Sequence, residues 1–129
     1  METLWRALIV GSGGFVGSAL RFTTAAWAQR LLPQSALPIG TLTVNVVGCL
    51  VIGIVAGVAD HRWQLSQATW LFLVVGLLGG FTTFSAFSHE VFMLGAGGHR
   101  LNALIHVTTH LVLGVGAAWL GYGIAARLP

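Results

Sequence analysis

The chain has no lysine and a single cysteine, Cys49, and only 7% of its 129 residues are charged. One cysteine excludes an intrachain disulfide, so the redox state of its compartment leaves no mark on the sequence. Acidic residues are limited to Glu2, Asp60 and Glu90, against Arg6, Arg21, Arg30, Arg62, Arg100 and Arg127. A pI near 10.6 would suit a nucleic-acid binder. Arginines this scattered form no patch that could neutralise a run of phosphates, which excludes that partner.

What remains is apolar. Hydrophobic residues make up 56% of the chain and its mean hydropathy is +0.87, whereas a soluble domain is about 25% charged. A helix needs about 20 apolar residues to cross roughly 30 Å of hydrocarbon. Four windows meet that requirement, at about 4–27, 39–59, 69–93 and 101–125. Pro33 and Pro38 bracket the first connector, Asp60 to Arg62 charge the second, and Gly95, Gly97 and Gly98 break the third. Trp5, Trp27, Trp63, Trp70 and Trp119 fall near span ends, at headgroup level. The expectation is an all-α membrane protein of four transmembrane helices, residues 1–129 forming one membrane domain surrounded by lipid. The first segment imitates a signal peptide through "AAWAQ", but Glu2 and Arg6 make a weak leader and Arg21 interrupts the approach to the cut.

Orientation lacks a bias. With four spans, Arg6, Arg62 and Arg127 lie on one side, and Arg30, Arg100 and the borderline Arg21 on the other. Loop arginines set orientation, so a balanced chain either follows a subtler cue or inserts both ways. Two-way insertion permits an antiparallel dimer. Gly13 and Gly17, Gly53 and Gly57, and Gly76 and Gly80 form G-x-x-x-G pairs, which serve assembly or packing within one bundle.

Several motifs invite chemistry. "LIVGSGGFVG" imitates a dinucleotide fingerprint, but no sheet can form and the next acidic residue is Asp60, so cofactor binding is rejected. Gly17, one turn before Arg21, is expected to leave room for the guanidinium. Arg21 itself either snorkels to the interface or faces an electropositive vestibule. Asn45, with Thr41 one turn earlier, faces the bundle interior as interhelical glue or pore lining. In "GLLGGFTTFSAFSHE", Gly79, Gly80, Thr82 and Thr83 sit where a third-span helix is expected to break, and such breaks are tolerated only against protein or a cavity. Phe84 and Phe87 follow on one side of the resumed helix, with Ser85, Ser88 and His89 beside them. Such a pair on a helix ordinarily serves packing; presented edge-on beside a break and hydroxyls, its rims carry positive potential and suit a small anion. His106 and His110 lack the remaining parts of a zinc site and are expected to be neutral members of a polar track with Thr109 and Asn102.

Taken together, "GGFVGSALRF", "PIGTLTVNVVGCLVIG" and "GLLGGFTTFSAFSHE" resemble the Fluc, or CrcB, family of fluoride channels over essentially the whole chain. The resemblance implies no enzyme but a passive, fluoride-selective channel of the cell inner membrane that protects against fluoride. It further implies an antiparallel, dual-topology homodimer with two pores. It assigns Phe84, Phe87 and Asn45 to the pore, with Thr83, Ser85 and Glu90 as motif hydroxyls and carboxylate and Arg21 at the vestibule. It also implies a structural sodium ion held by the backbone carbonyls of Gly79 and Thr82. His106 and His110 stand where many members carry tyrosine and serine; if they line the pore, conduction is expected to depend on pH. The competing reading is a small dual-topology multidrug transporter, which needs a carboxylate embedded in its first span; this chain has a cation there. An enzyme built on Ser85, His89 and Glu90 lacks a visible oxyanion hole or cleft. A purely structural subunit would leave the Thr-Thr-Phe-Ser run unexplained.

Overall fold

The computed structural model describes residues 1–61 and 65–127. Arg62 and Trp63, used above for charge balance and for the aromatic belt, lie outside the described residues. The described chain is helical, with no strand: α1 Glu2–Leu31, α2 Ile39–His61, α3 Gln67–Trp70, a π-helical segment Leu71–Leu78, α4 Gly79–Phe81, α5 Phe84–Ala96 and α6 Arg100–Arg127. Three rods are long and apolar enough to cross a membrane: Ile39–Asp60, Gln67–Ala96 and Arg100–Arg127. At 30 residues, α1 is also long, but its glycines, Ser12, Ser18 and Arg21 dilute its hydropathy.

Local chemistry sets the ends. Ser66 caps α3 by accepting a hydrogen bond from the Thr69 N–H at 3.1 Å. At the α5–α6 corner, Gly98 takes φ +82°. There the His99 N–H donates to the Leu94 carbonyl at 2.8 Å and the Gly98 N–H to Gly95 at 3.1 Å. These two bonds satisfy carbonyls that the helix end leaves orphaned. At the opposite end of the bundle the Tyr122 hydroxyl donates to Asp60 Oδ2 at 2.5 Å, tying α6 to α2. Arg6 pairs with Glu2 and reaches Gln67 Oε1 at 3.3 Å, tying α1 to α3.

α2 packs along α6, and α1 along the π-helical segment and α4. Both contacts run through glycine. A side chain at Gly17 would overlap the Leu77 carbonyl, and one at Gly76 would lie 2.6 Å from the Val10 oxygen. On the other seam, side chains at Gly53 and Gly121 would overlap the Ala118 and Leu50 carbonyls. All three G-x-x-x-G pairs therefore pack helices within one subunit. Gly17 makes room for the Leu77 backbone, not for Arg21. In a medium without hydrophobic drive, close backbone approach supplies the dispersion contact that holds helices together.

Backbone oxygens cannot move aside. Gly17→Val is expected to cost more than about 3 kcal/mol, beyond ordinary overpacking. Gly11→Ala meets open space and should stabilise by about 0.5–1 kcal/mol. Thermal melting of the two purified variants checks both.

The interior is thin. Ala28, Val44, Leu78, Phe81 and Ala125 are the buried hydrophobics among the described residues, and His106 the buried polar residue. Phe15, Phe22, Phe84 and Trp119 are all more than 70% exposed, a pattern that suits lipid or a second copy and not water.

Candidate functional site

The third rod breaks at Thr82 and Thr83, whose backbones are extended (φ −82°, ψ 159° and φ −152°, ψ 117°). A break in an apolar medium frees backbone groups that need partners. Side chains supply them. Asn45 on α2 uses its carboxamide twice, Oδ1 accepting from the Thr83 N–H at 2.9 Å and Nδ2 donating to the Thr83 carbonyl at 3.1 Å. Thr82 folds back onto the Leu78 carbonyl through its N–H at 2.9 Å and its hydroxyl at 3.0 Å. Thr83 Oγ1 caps α5, accepting from the Ala86 N–H at 3.2 Å, and lies 3.2 Å from Ser85 Oγ. Gly48 lets the break approach α2, since a side chain there would overlap the Thr82 methyl.

Thr83 lines two open-sided cavities. One, of about 760 Å³, is also lined by Arg21, Thr41, Ser85 and His89. The other, of about 450 Å³, is lined by Asn45, Gly79, Thr82, Phe84, Phe87 and His110 among others. Arg21 is half-buried and points at the break, its Nη1 3.5 Å from the Thr82 carbonyl oxygen.

Beyond the break lies an aromatic cluster. The Phe84 and Phe87 rings are 5.5 Å apart at 53°, and the Phe87 ring lies 4.4 Å from His110 and 5.6 Å from His106. His106 and His110 meet edge to face at 4.4 Å. Glu90 joins α5 to both neighbours, Oε1 accepting from the Thr41 hydroxyl at 2.5 Å and Oε2 lying 3.1 Å from His106 Nε2. Thr109 turns its hydroxyl back to the Ile105 and His106 carbonyls.

Arg21, Asn45, Gly79, Thr82, Thr83, Phe84, Ser85, Phe87 and His110 line the two cavities at the break, whereas Glu90 and the fully buried His106 line neither. Glu90 turns to Thr41 and His106 while Ser85 and His89 line the Arg21 cavity, so these three form no catalytic relay. Two features were not foreseen: the double hydrogen bond from Asn45 to Thr83, and the Thr41–Glu90–His106 bridge. The Thr41 and Asn45 spacing pointed to a shared face but not to its partners.

Among the described residues no cluster of three His, Cys, Asp or Glu side chains could hold a metal. Carbonyl ligation is another matter. The Thr83 N–H that would close a helical turn onto the Gly79 carbonyl goes to Asn45 instead. The Thr82 oxygen is approached by Arg21. Backbone oxygens are the ligand type that a hard cation takes, but of these two the Thr82 oxygen already faces the Arg21 guanidinium.

Long apolar rods, exposed hydrophobic faces and a polar-lined break between two cavities define a multi-pass helical membrane protein. Residues 8–122 match the family described as CrcB-like protein, Camphor Resistance (CrcB), and the chain belongs to that family. It is 42% identical over 123 residues (95% of this chain, 98% of the relative) to the fluoride-specific ion channel FluC of Rhizobium etli. It is 39% identical over 119 residues (92% and 93%) to the protein of that name from Methylobacillus flagellatus. With that of Nitrobacter winogradskyi it shares 43% identity over 117 residues (91% and 92%). These relatives are named as ion channels, not as enzymes.

Proposed function

We propose that this chain is a fluoride-selective channel that lets fluoride leave the cytoplasm passively. The observation that carries this reading is that Thr83 lines two cavities, one also lined by Arg21 and the other by Asn45, Thr82 and the rings of Phe84 and Phe87. Fluoride enters the pore only if its hydration shell is replaced, and it leaves only if no group holds it too firmly. Arg21 concentrates anions at the mouth. Thr83, Ser85 and the second Asn45 N–H offer neutral hydrogen bonds, and Phe84 and Phe87 offer weakly positive rims. His106, His110 and Glu90 continue the polar track.

The working unit in this reading is an antiparallel homodimer in the inner membrane, with α1 as the fourth span. Balanced arginines favour two-way insertion, and the 78% exposure of Phe84 leaves its ring available to a second copy. The carbonyls of Gly79 and Thr82, doubled by that copy, would hold a structural sodium ion. When bound, such an ion would supply positive charge beside the two breaks. A proton-coupled multidrug transporter is disfavoured because the acidic residue of α1 is Glu2, in its first turn.

Expression in bacteria that lack their own fluoride exporters tests the function in cells. Growth in fluoride medium should be restored; growth no better than with empty vector would refute the reading.

A further inference from the structure

Each histidine of the cluster has one ring nitrogen committed and one without a partner. His110 Nδ1 lies 3.0 Å from the main-chain carbonyl oxygen of His106. A carbonyl only accepts, so this contact is a hydrogen bond only when Nδ1 carries the proton. Neutral imidazole has a single N–H, which leaves Nε2 a bare lone pair. That nitrogen is buried and has no hydrogen-bond partner among the described residues, in a ring that lines the Phe87 cavity. His106 repeats the pattern, with Nε2 directed at Glu90 and a buried, unpartnered Nδ1.

The surroundings of His110 are sparse in charge. Glu90 faces the pair from α5 with both oxygens engaged, by Thr41 and by His106. His106 faces it from α6, and from α2 the Cys49 thiol lines the same cavity. No carboxylate or guanidinium lines that cavity among the described residues. A protonated His110 would therefore have an Nε2–H with no protein acceptor, in a site where an unpaired charge is costly.

We propose that His110 is a proton-dependent ligand for fluoride, its imidazolium Nε2–H holding the anion beside Phe87 and its neutral form withdrawing the donor. This rests on the fluoride-channel reading and adds to it a pH-linked binding site. The proton comes from solvent and no covalent bond changes. Proton and fluoride then bind together, each raising the affinity for the other by the same factor. Fluoride should shift the His110 titration upward in pH, and acid should tighten fluoride binding.

The test is a pH titration of wild-type protein in lipid bilayers by nitrogen NMR of labelled histidine, in potassium fluoride and in potassium chloride. The His110 signal is assigned by its loss in His110→Asn or, if that variant does not fold, His110→Gln. Neutral His110 should show the Nδ1–H tautomer. Its titration midpoint should rise by about one pH unit in saturating fluoride, a tenfold coupling, and stay put in chloride. An Nε2–H tautomer, or the same midpoint in both salts, overturns the proposal. Fluoride release from vesicles of the same preparation separates the failures. Release with a fluoride-insensitive midpoint sinks this site alone, whereas no release at any pH sinks the channel reading beneath it.

Discussion

Asn45→Ala is expected to abolish fluoride release and to destabilise the subunit by about 2–6 kcal/mol. The stability figure follows from two hydrogen bonds. The carboxamide satisfies both the N–H and the carbonyl of Thr83, and a buried backbone group left unpaired costs about 1–3 kcal/mol. No neighbouring turn can take over, because Thr82 already folds back onto Leu78. Loss of conduction has a separate cause. Without the clamp the break closes or wanders, and Thr83 no longer holds the two cavities together. Asn45→Asp separates the effects: its carboxylate still accepts from the Thr83 N–H but faces the Thr83 carbonyl without a donor, and it sets a negative charge in an anion's path. It should melt above the alanine variant yet conduct no better. Thermal melting and vesicle efflux check both, and an Asn45→Ala protein with native melting and native flux would show that the clamp is dispensable.

Phe84→Ile is expected to reduce fluoride release at least tenfold, about 1.4 kcal/mol or more of barrier, with the melting temperature of the subunit unchanged. Phe84 is 78% exposed in the subunit, touching Phe87 at 5.5 Å, so the fold gains little from its ring. Isoleucine keeps the apolar bulk but lacks the quadrupole whose positive rim faces an anion. Phe84→Tyr keeps the ring and should retain most of the flux. If isoleucine conducts like phenylalanine, ring edges have no part in permeation and packing alone explains the pair.

Much of the fold was legible because lipid imposes simple rules. Unbroken apolar length marks Ile39–Asp60 and Arg100–Arg127 directly, and Gly98 marks the corner between α5 and α6 because its φ of +82° suits glycine. The break was legible too, since Gly79 to Thr83 combine weak helix formers with hydroxyls. Partners across helices were not. Nothing local to Asn45 says that it will clamp Thr83, 38 positions away, and nothing local to Glu90 selects Thr41 and His106. The π-helical winding of Leu71–Leu78 has no signature in those apolar residues. Glycine spacing was readable, but a G-x-x-x-G pair looks the same whether its partner is in the same subunit or another; only the contacts of Gly13, Gly53 and Gly76 distinguish the two.

Anion release from liposomes carrying the purified protein addresses the core of the account most directly. Vesicles loaded with equal potassium fluoride and potassium chloride are diluted into a medium free of both ions, and two selective electrodes follow them after a potassium ionophore is added. Fluoride should empty within the mixing and recording time while chloride stays inside. Retention of fluoride, or release of the two halides at equal rates, would contradict a pore in which neutral donors and ring edges stand in for the water around fluoride.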